Sequence, residues 1–482
     1  MPVQAVSIIF GAFVLLCVTY ASADSVRFAY VTTTADGEYE VSFSDAGSMR
    51  EMQGEVKLIY RQLDGLHAGY KKAKGNTSQM LSYDDLLWLN IQGDLEDLME
   101  ALDTSPGVKL PLVLRGRKGA SCSALIKLLD DSSDLYTAQD TWSSLQSMLR
   151  VLKKYNFGFH PLGSQNSTVP GRSVSFSSYP GTILSNDDFY ITSAGLVTQE
   201  TTIGNSNASL WSHVKPVGQV LEFARVLVAN RLGHCGRSWS KIFSLYNSGT
   251  YNNQWMIVDY NRFKPGTKRS QLKNNLLWVL EQIPGYIKAA DKTDVLRNQS
   301  YWPSYNAAYF PEVFNLSGVP VLVEKYGDWF TYDRTPRARI FRRDHVKVRD
   351  IQSMMSLMRY SDYQHDNLSR CDECTPKQNA ENIIACRSDL NPANGTYPFQ
   401  SLGHRSHVAT DSKVTGSSLV LNLQFWAASG PPHGGSTPVF DWSTSDFGKS
   451  TPHLGHPVRW EFPPLLQRWE SDIVVNRTVK GR

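Results

Sequence analysis

The sequence predicts a layered fold of strands and helices, α/β or α+β, rather than a β-sandwich. Its 482 residues are 41% hydrophobic and 20% charged, the composition of a globular chain with room for two or three domains or one large one. Strand-like runs dominate, and several longer helical segments interrupt them. The net charge of +4 gives little support to a nucleic-acid partner, and we expect none.

The first apolar run, VSIIFGAFVLLCVTYASA, ends in the small-x-small pattern Ala21-Ser22-Ala23 that signal peptidase accepts. The run is shorter than the roughly 18 apolar residues of a membrane anchor. The segment before it, MPVQAV, lacks the usual Lys or Arg. We interpret residues 1–23 as a signal peptide and expect a protein of the secretory pathway, either lysosomal or extracellular.

Asn-x-Ser/Thr sequons agree with a secreted route, although a few arise by chance in any chain of this length. The predicted glycosylation sites are Asn76, Asn166, Asn207, Asn298, Asn315, Asn367, Asn394 and Asn476.

Residues 24–121 alternate strand-like runs (SVRFAYVTTT, EYEVSFS) with one helical segment, YDDLLWLNIQGDLEDLMEALD. The next stretch, SPGVKLPLVLRGRKGAS, starts with Pro and Gly and ends in small and basic residues, which predicts an exposed linker or loop.

From residue 122 the pattern changes. CSALIKLL predicts a strand, TWSSLQSMLRVLKKYNF has helical spacing, and VGQVLEFARVLVANRL predicts a helix within a train of strands and turns. The strand segments are VSFSSYPGTIL, DFYITSAGLVTQETTI, NNQWMIVDYNRF and LLWVLEQIPGYIKAAD. Basic residues cluster in 334–349, for which a solvated face is the simplest interpretation, and the last hundred residues are rich in loops.

Five cysteines follow the predicted signal peptide, so at least one thiol is unpaired or pairs with another chain. Cys371 and Cys374 in CDEC are close enough for a local disulfide; half a zinc site is the alternative, which the absence of a second CxxC disfavours. Cys235 and Cys386 could pair with each other, which would leave Cys122 as the spare thiol.

Common hydrolase signatures are absent: there is no G-x-S-x-G, no H-E-x-x-H and no Walker loop. The histidines towards the C-terminus follow no standard metal-ligand spacing, so we expect no metal and no cofactor. They are His407, His433, His453 and His456.

Cys122 is the remaining candidate for chemistry. A cysteine at the head of a strand is usually a small core residue, but this one follows an exposed stretch and small residues that let the backbone bend. Those features suit an N-terminal nucleophile. In that chemistry the chain is cut just before the nucleophile, and the freed α-amino group, with a pKa of about 7.7–8.0, accepts the thiol proton.

The chain also resembles the phospholipase B-like family, which includes the lamina ancestor group. The resemblance begins at SCSALIKLL and runs almost to the C-terminus through MLRVLKKY, FSSYPGTI, NSGTYNNQWMIVDY, RSDLNPANGTYPFQ and FDWSTS. It implies an α+β fold of the N-terminal nucleophile hydrolase type, in which two antiparallel sheets are stacked between helical layers (αββα).

The resemblance further implies cleavage between Ser121 and Cys122. The products would be an N-terminal fragment, 24–121, and a C-terminal fragment, 122–482, which carries the nucleophile and most of the αββα core. The two would stay associated in a glycosylated protein.

Similarity to cysteine-type members of the same superfamily, such as bile-salt hydrolases and acid ceramidase, implies further roles. Asn306 would donate to the oxyanion, Arg337 would hold the thiolate or position Asn306, and Trp142 would form a pocket wall. The simpler alternatives are a turn cap for Asn306, one more arginine of a basic run for Arg337 and a core residue for Trp142. Gln139 departs from the family pattern H-x-x-W, and because an amide cannot titrate this weakens the case for turnover; it could still orient a water or the α-amine.

Two further pairs come from the sequence around the strands. Glu200 and Thr201 are candidate partners of the new amino terminus, and Asn252 and Asn253 are a rival oxyanion pair, less favoured because their segment predicts a packed strand.

The function we expect is hydrolysis of acyl esters of glycerophospholipids with release of fatty acids. The alternatives are an amidase on N-acylated lipids and a processed, non-catalytic lipid-binding protein of the endolysosomal system. The partner is then a phospholipid or another acyl lipid, and the sequence leaves open peripheral contact with a membrane and a homodimer.

Overall fold

The computed structural model describes residues 30–33, 39–42, 48–74, 80–103, 121–161 and 166–469. Its α-helices are α1 (Ser48–Lys74), α2 (Tyr83–Asn90), α3 (Gln92–Asp103), α4 (Glu222–Leu232), α5 (Gly236–Phe243), α6 (Thr293–Gln299), α7 (Pro311–Leu316), α8 (Val319–Tyr326), α9 (Pro336–Asp344), α10 (Ile351–Met358) and α11 (Ser417–Val420). Its strands are β1 (Tyr30–Thr33), β2 (Tyr39–Ser42), β3 (Ser121–Leu128), β4 (Leu135–Ser143), β5 (Val151–Asn156), β6 (Ser173–Ser178), β7 (Phe189–Thr192), β8 (Leu196–Thr202), β9 (Asn253–Asp259), β10 (Leu277–Ile283), β11 (Tyr286–Asp291), β12 (Tyr301–Ser304), β13 (Val408–Ala409), β14 (Asp411–Thr415), β15 (Phe425–Ser429), β16 (Phe440–Asp441), β17 (Arg459–Trp460) and β18 (Leu465–Gln467).

Two antiparallel sheets form the centre of the fold. The first sheet has the strand order β11-β10-β9-β8-β7-β6-β5, and the second has the order β12-β3-β4-β14-β15-β18, with β13 also paired to β4. Because side chains alternate across a strand, each sheet presents one apolar face to the other sheet and one to helices.

Three core clusters define the layers. Between the sheets, Ala124 and Ile126 of β3 pack with Val197 and Met256 of the first sheet. Helices α1, α4 and α5 cover the outer face of the first sheet, and α9 and α10 cover the outer face of the second. The layer order is therefore αββα, which confirms the α+β fold class that the sequence analysis predicted.

The N-terminal part contains a helix that the sequence analysis missed. Helix α1 buries Met52, Val56, Ile59 and Leu63 along one face, at the i, i+4, i+7 and i+11 spacing of a helix. The predicted helix after it is two helices, α2 and α3, which are separated at Ile91. The predicted linker before Ser121 and the predicted signal peptide lie outside the described residues.

The helical prediction for TWSSLQSMLRVLKKYNF is wrong. Strand β4 continues to Ser143, a short 3₁₀ turn covers Leu145–Ser147, and β5 follows. Strand β5 pairs in full register with β6, from Val151 opposite Ser178 to Asn156 opposite Ser173. These long-range hydrogen bonds override a local spacing that suits either structure.

Among the cysteines of the described residues, Cys371 and Cys374 form the predicted disulfide. Cys122, Cys235 and Cys386 are free thiols, so the suggested pairing of Cys235 with Cys386 is wrong. Across the described ranges, no helix combines the length and apolar character that crossing a membrane requires.

Candidate active site

Cys122 is the second residue of β3, and so lies near the beginning of a strand that is paired on both sides, with β12 and β4. It lies opposite Thr141 of β4, on the same face of β3 as Ala124, and therefore points towards the first sheet. The residue is only 2% exposed. This buried position is equally typical of a small core residue. The polar contacts of Cys122 therefore distinguish a structural role from a chemical one.

Asn306 is the first of these contacts. It follows β12, which pairs with β3, and its backbone has a φ of +65°, a left-handed conformation that asparagine tolerates better than most residues. Its Oδ1 accepts the backbone N–H of Cys122 at 3.1 Å, and its Nδ2 donates to the carbonyl of Thr202 at 2.7 Å. Asn306 therefore ties the backbone of Cys122 to β8 of the opposite sheet.

Arg337 lies in the first turn of α9 and contacts Cys122 from the helix side. Its Nη1 donates to the carbonyl of Cys122 at 2.7 Å, and its guanidinium sits 4.3 Å from the ring centre of Trp142. Burial lowers the pKa of Arg337 to about 10, while Glu381 favours the charged form. Asn306 therefore holds the backbone N–H of Cys122, and Arg337 holds its backbone carbonyl.

Glu200 of β8 is the titratable group nearest the thiol. Its Oε1 accepts from the Sγ of Cys122 at 3.9 Å. Burial, and then the negative charge of Glu200, raise the pKa of the Cys122 thiol, whereas Lys413 and a backbone hydrogen bond from Trp142 act in the opposite direction. Burial and the neighbouring Asp188 likewise raise the pKa of Glu200, so its carboxylate takes up a proton more readily than an exposed one.

Among the described residues, the predicted side chains of Gln139 and Thr201 form hydrogen bonds to groups other than the thiol. Gln139 is buried, and its Nε2 donates to the carbonyls of Asp187 at 2.6 Å and Glu200 at 2.8 Å. Thr201 shares a hydrogen bond of 2.6 Å with Ser304. Gln139 therefore fixes the backbone that carries Glu200, while Thr201 links the two sheets.

Trp142 and Ser121 flank the site on its other sides. Ser121 begins β3 and pairs with Trp142 of β4. The Trp142 side chain is fully buried in the cluster between the second sheet and its helices, and its ring lies beneath Arg337. Its predicted role as a pocket wall stays a prediction, and its observed contact is with the arginine.

The two asparagines of the rival oxyanion pair differ. Asn252 is engaged, since its Nδ2 donates to Asp97 and to the carbonyl of Gly249. Asn253 is fully buried, and its side-chain atoms have no hydrogen-bond partner among the described residues. Because it lies opposite Thr202 in the β8–β9 pair, its amide is on the same face as Thr202 and Glu200.

Sequence reasoning missed a buried ionic network behind the thiol. Lys413 of β14 donates to both oxygens of Asp411 at 2.8 and 2.9 Å, and to Thr141 at 2.8 Å. Arg150 bridges Asp187 and Asp411 at 3.0 and 3.1 Å. The available signal was the spacing Asp411-x-Lys413, which places two opposite charges on one face of a strand, in a region that had been interpreted as mostly loops.

Six of the predicted sequons fall within the described residues. Asn166, Asn298, Asn315, Asn367 and Asn394 are exposed, and Asn207 is partly buried with its Nδ2 bonded to the carbonyl of Leu316. Asn76 and Asn476 lie outside those residues. Glycosylation stays a prediction at all eight sites.

Comparison with known proteins adds to this geometry. A family model described as phospholipase B matches residues 44–467. The Bos taurus protein named "Putative phospholipase B-like 2" is 51% identical over 419 residues, which are 86% of this chain and 69% of the bovine one. "Phospholipase B-like protein B" of Dictyostelium discoideum is 40% identical over 412 residues, 84% of this chain and 68% of its own. Among solved structures, a variant of the conjugated bile acid hydrolase of Clostridium perfringens aligns with 64% of this chain and 89% of its own, with a TM-score of 0.32 and 10% identity.

Proposed function

Because the chain belongs to the phospholipase B family, we propose that it is an acyl-ester hydrolase that releases fatty acids from glycerophospholipids, with Cys122 as nucleophile. The observation that carries the proposal is the convergence of Asn306, Arg337 and Glu200 on a single buried cysteine. Asn306 and Arg337 hold the backbone N–H and carbonyl of Cys122, Glu200 contacts its thiol, and the three come from separate segments of the chain.

Maturation is the first step of the mechanism. The Cys122 thiol attacks the carbonyl carbon of Ser121, the peptide C–N bond breaks, and a thioester joins Ser121 to the sulfur while Cys122 gains a free α-amino group. Water then hydrolyses the thioester, which restores the thiol and leaves a carboxylate on Ser121. Before cleavage no α-amine exists, so Glu200, the acceptor of the Sγ proton, is the base for this step.

Turnover uses the same sulfur on a different carbonyl. With the α-amine as base, the thiolate attacks the ester carbonyl of the lipid, the alcohol leaves with a proton, and water releases the fatty acid from the acyl-enzyme. Asn306 is the amide that stabilises the oxyanion, through its remaining Nδ2 proton. Removing one such donor typically costs about 10²–10³ in rate.

The two products of maturation would remain one particle. Helix α1 contributes Met52, Ile59 and Leu63 to the core of the first sheet, and its Glu55 pairs with Arg231 of α4 at 3.0 Å. Burial of this kind is worth about 25 cal/mol per Å² of apolar surface, so separation of the fragments is unfavourable. A lysosomal or extracellular location and contact with a lipid surface are part of the same proposal.

The decisive experiment compares the secreted wild type with Cys122→Ala and with Cys235→Ser, a control at another free thiol. We expect the larger fragment of the wild type and of the control to start at Cys122, and the Cys122→Ala chain to stay whole. Fatty-acid release from mixed glycerophospholipid vesicles should disappear only in Cys122→Ala. A different N-terminus, or equal release by all three proteins, would contradict the proposal.

One variant and one further substrate test the mechanism in more detail. Glu200→Gln should slow maturation, because the acceptor of the thiol proton is lost; at the same time it should lower the pKa of the thiol, because a negative charge is removed. Iodoacetamide labelling at fixed pH measures the second effect on unprocessed chains. An N-acylated lipid offered in parallel tests the amidase alternative, which requires Cys122-dependent release from the amide but not from the ester.

A further inference from the structure

A second cluster of reactive side chains lies on the outer side of the second sheet. Glu381, Cys386 and His407 are all buried, with exposed fractions of 4%, 0% and 6%. The Sγ of Cys386 lies 3.7 Å from Nδ1 of His407, and Oε2 of Glu381 lies 3.6 Å from the same nitrogen. Within the described residues, these three ligand atoms all lie within 4.8 Å of one another.

The geometry does not suit a second catalytic triad. In a triad the two ring nitrogens of the histidine join the nucleophile to the acid, whereas here both contacts involve Nδ1. The Nδ1–Oε2 distance is also longer than the roughly 2.7–3.2 Å of a good hydrogen bond. Around a tetrahedral zinc ion, by contrast, neighbouring nitrogen–sulfur and nitrogen–oxygen ligands lie about 3.6 and 3.3 Å apart, as follows from the usual bond lengths.

We propose that Glu381, Cys386 and His407 form a binding site for one Zn²⁺ ion. A thiolate, an imidazole and a carboxylate together are a donor set that zinc accepts, whereas Mg²⁺ and Ca²⁺ prefer oxygen alone. The thiolate and the carboxylate supply two negative charges against the two positive charges of the ion.

Side chains next to the proposed ligands hold them in place by hydrogen bonds, as is usual around metal sites. Ser388 donates through its hydroxyl to Oε2 of Glu381, and Arg405 donates to Oε1 at 2.7 Å. Ligating carboxylates are usually held by such hydrogen bonds. Arg405 brings a positive charge next to the ion, so the site needs the thiolate form of Cys386 in addition to Glu381.

The site lies behind the nucleophile and is separate from it. The His407 ring contacts Trp142 edge-on, with ring centres 6.1 Å apart, and Trp142 in turn supports Arg337. Bound zinc would restrict the motion of His407 and, through it, of Trp142 and Arg337, and would stabilise the folded state. The proposal does not depend on the hydrolase activity, since it concerns ligands that the mechanism does not use.

The test uses the full chain without an affinity tag, dialysed free of metal and titrated with Zn²⁺ or Co²⁺. We expect about one equivalent to bind per chain, a near-ultraviolet thiolate-to-cobalt absorption band, and a higher Tm with Zn²⁺. Cys386→Ser should weaken binding about tenfold or more and remove the band. Cys235→Ser and Cys122→Ser are matched controls and should bind as the wild type does.

A cobalt band that persists in Cys386→Ser, or that vanishes in Cys122→Ser, would overturn the assignment. So would a wild type that shows no thiolate band and no change in Tm on addition of Zn²⁺. If Cys386→Ser fails to fold, which circular dichroism without metal reveals, the wild type decides the proposal together with Cys235→Ser and Cys122→Ser, both of which should keep the band.

Discussion

The backbone N–H of Cys122 donates to the side-chain oxygen of Asn306 at 3.1 Å, so a residue 184 positions further along the chain holds the candidate nucleophile in place. The same amide reaches Thr202 on the opposite sheet. Asn306 therefore supports both the position of the nucleophile and the packing of the two sheets at this end.

Replacing Asn306 by Ala and by Gly separates the effect of losing its side-chain hydrogen bonds from the effect of its left-handed backbone conformation. Both variants lose the hydrogen bonds to Cys122 and Thr202, which should cost about 1–3 kcal/mol in the free energy of unfolding and slow fatty-acid release about 100-fold. Asn306→Ala should lose about 1 kcal/mol more than Asn306→Gly, because only glycine adopts a φ of +65° without strain. Urea unfolding and vesicle assays measure both quantities. Gly and wild-type chains of equal stability would contradict the structural role.

The sequence revealed Cys122, Asn306 and Arg337 because each belongs to a local stretch that resembles a known family. The structure brings these three residues together. The thiol of Cys386 and the imidazole of His407 were visible as residues, but their meeting depends on loops that cross the outer side of the second sheet. No local spacing encodes such a meeting, so a search for standard metal motifs could not find it.

The errors in the fold have a similar cause. The segment of β5 has apolar residues whose spacing suits a helix or a strand, and pairing with β6 decides between them. Helix α1 was missed although its apolar residues follow a regular helical spacing. The layer order was predicted correctly because the resemblance carried information about the whole fold, which periodicity alone did not.

Gln139 offers a test of what its amide does. Both contacts of its Nε2 are donations to backbone carbonyls, those of Asp187 and Glu200. Gln139→Glu places an acceptor against these carbonyls, which should cost about 3 kcal/mol or more at pH 7.5. At pH 5 the loss should be smaller, because a protonated carboxyl group can still donate one hydrogen bond.

Thermal and urea unfolding at the two pH values give the comparison. Gln364→Glu, at an exposed glutamine, is the matched control and should change stability by no more than about 0.5 kcal/mol. An effect of Gln139→Glu that does not depend on pH would mean that the amide donations are unimportant.

Asp94 connects the two predicted fragments. It accepts the backbone N–H groups of Glu222 and Phe223 at 2.9 and 3.1 Å, and so caps the start of α4, whose own N-cap residue, Leu221, provides no side-chain bond. Asp94→Ala should cost about 2 kcal/mol or more, since it leaves buried N–H groups without an acceptor.

The consequence should appear most clearly after maturation. In size-exclusion chromatography under mild urea, the smaller fragment of Asp94→Ala should separate from the larger one at a lower urea concentration than in the wild type. Asp84→Ala, at an exposed aspartate of α2, is the control and should behave as the wild type does. Identical separation of all three proteins would show that this cap does not hold the fragments together.

The buried acids beside the site predict how stability depends on pH. Burial raises the pKa of Asp188 to about 7, although hydrogen bonds from Tyr251 and Tyr190 act against it, and burial likewise raises the pKa of Glu281 to about 7. In the unfolded chain these groups titrate near 4. The folded state therefore holds extra protons between about pH 4 and pH 7, so the stability that Asp188 contributes is fully present below about pH 4 and is lost as the pH rises through about 7.

Groups with a lowered pKa act in a different window. Salt bridges and hydrogen bonds lower the pKa of Glu381 and Asp411 to about 2, despite their burial, so their contribution is present above about pH 4 and is lost only as the pH falls towards 2. The two sets together place the maximum of stability at mildly acidic pH. The wild type should therefore unfold at a higher temperature at pH 5 than at pH 7.5.

Asp188→Asn removes one of these titrations without changing the size of the side chain. Asparagine also tolerates the φ of +52° at this position. The variant should flatten the decline in stability between pH 5 and pH 7 by about 1.4 kcal/mol per pH unit, so that it gains most at neutral pH. Asp372→Asn, at an exposed aspartate, should leave the slope as it is. Urea unfolding at half-unit pH steps measures the slopes, and parallel curves for Asp188→Asn and the wild type would show that Asp188 is already ionised in the folded protein at pH 5.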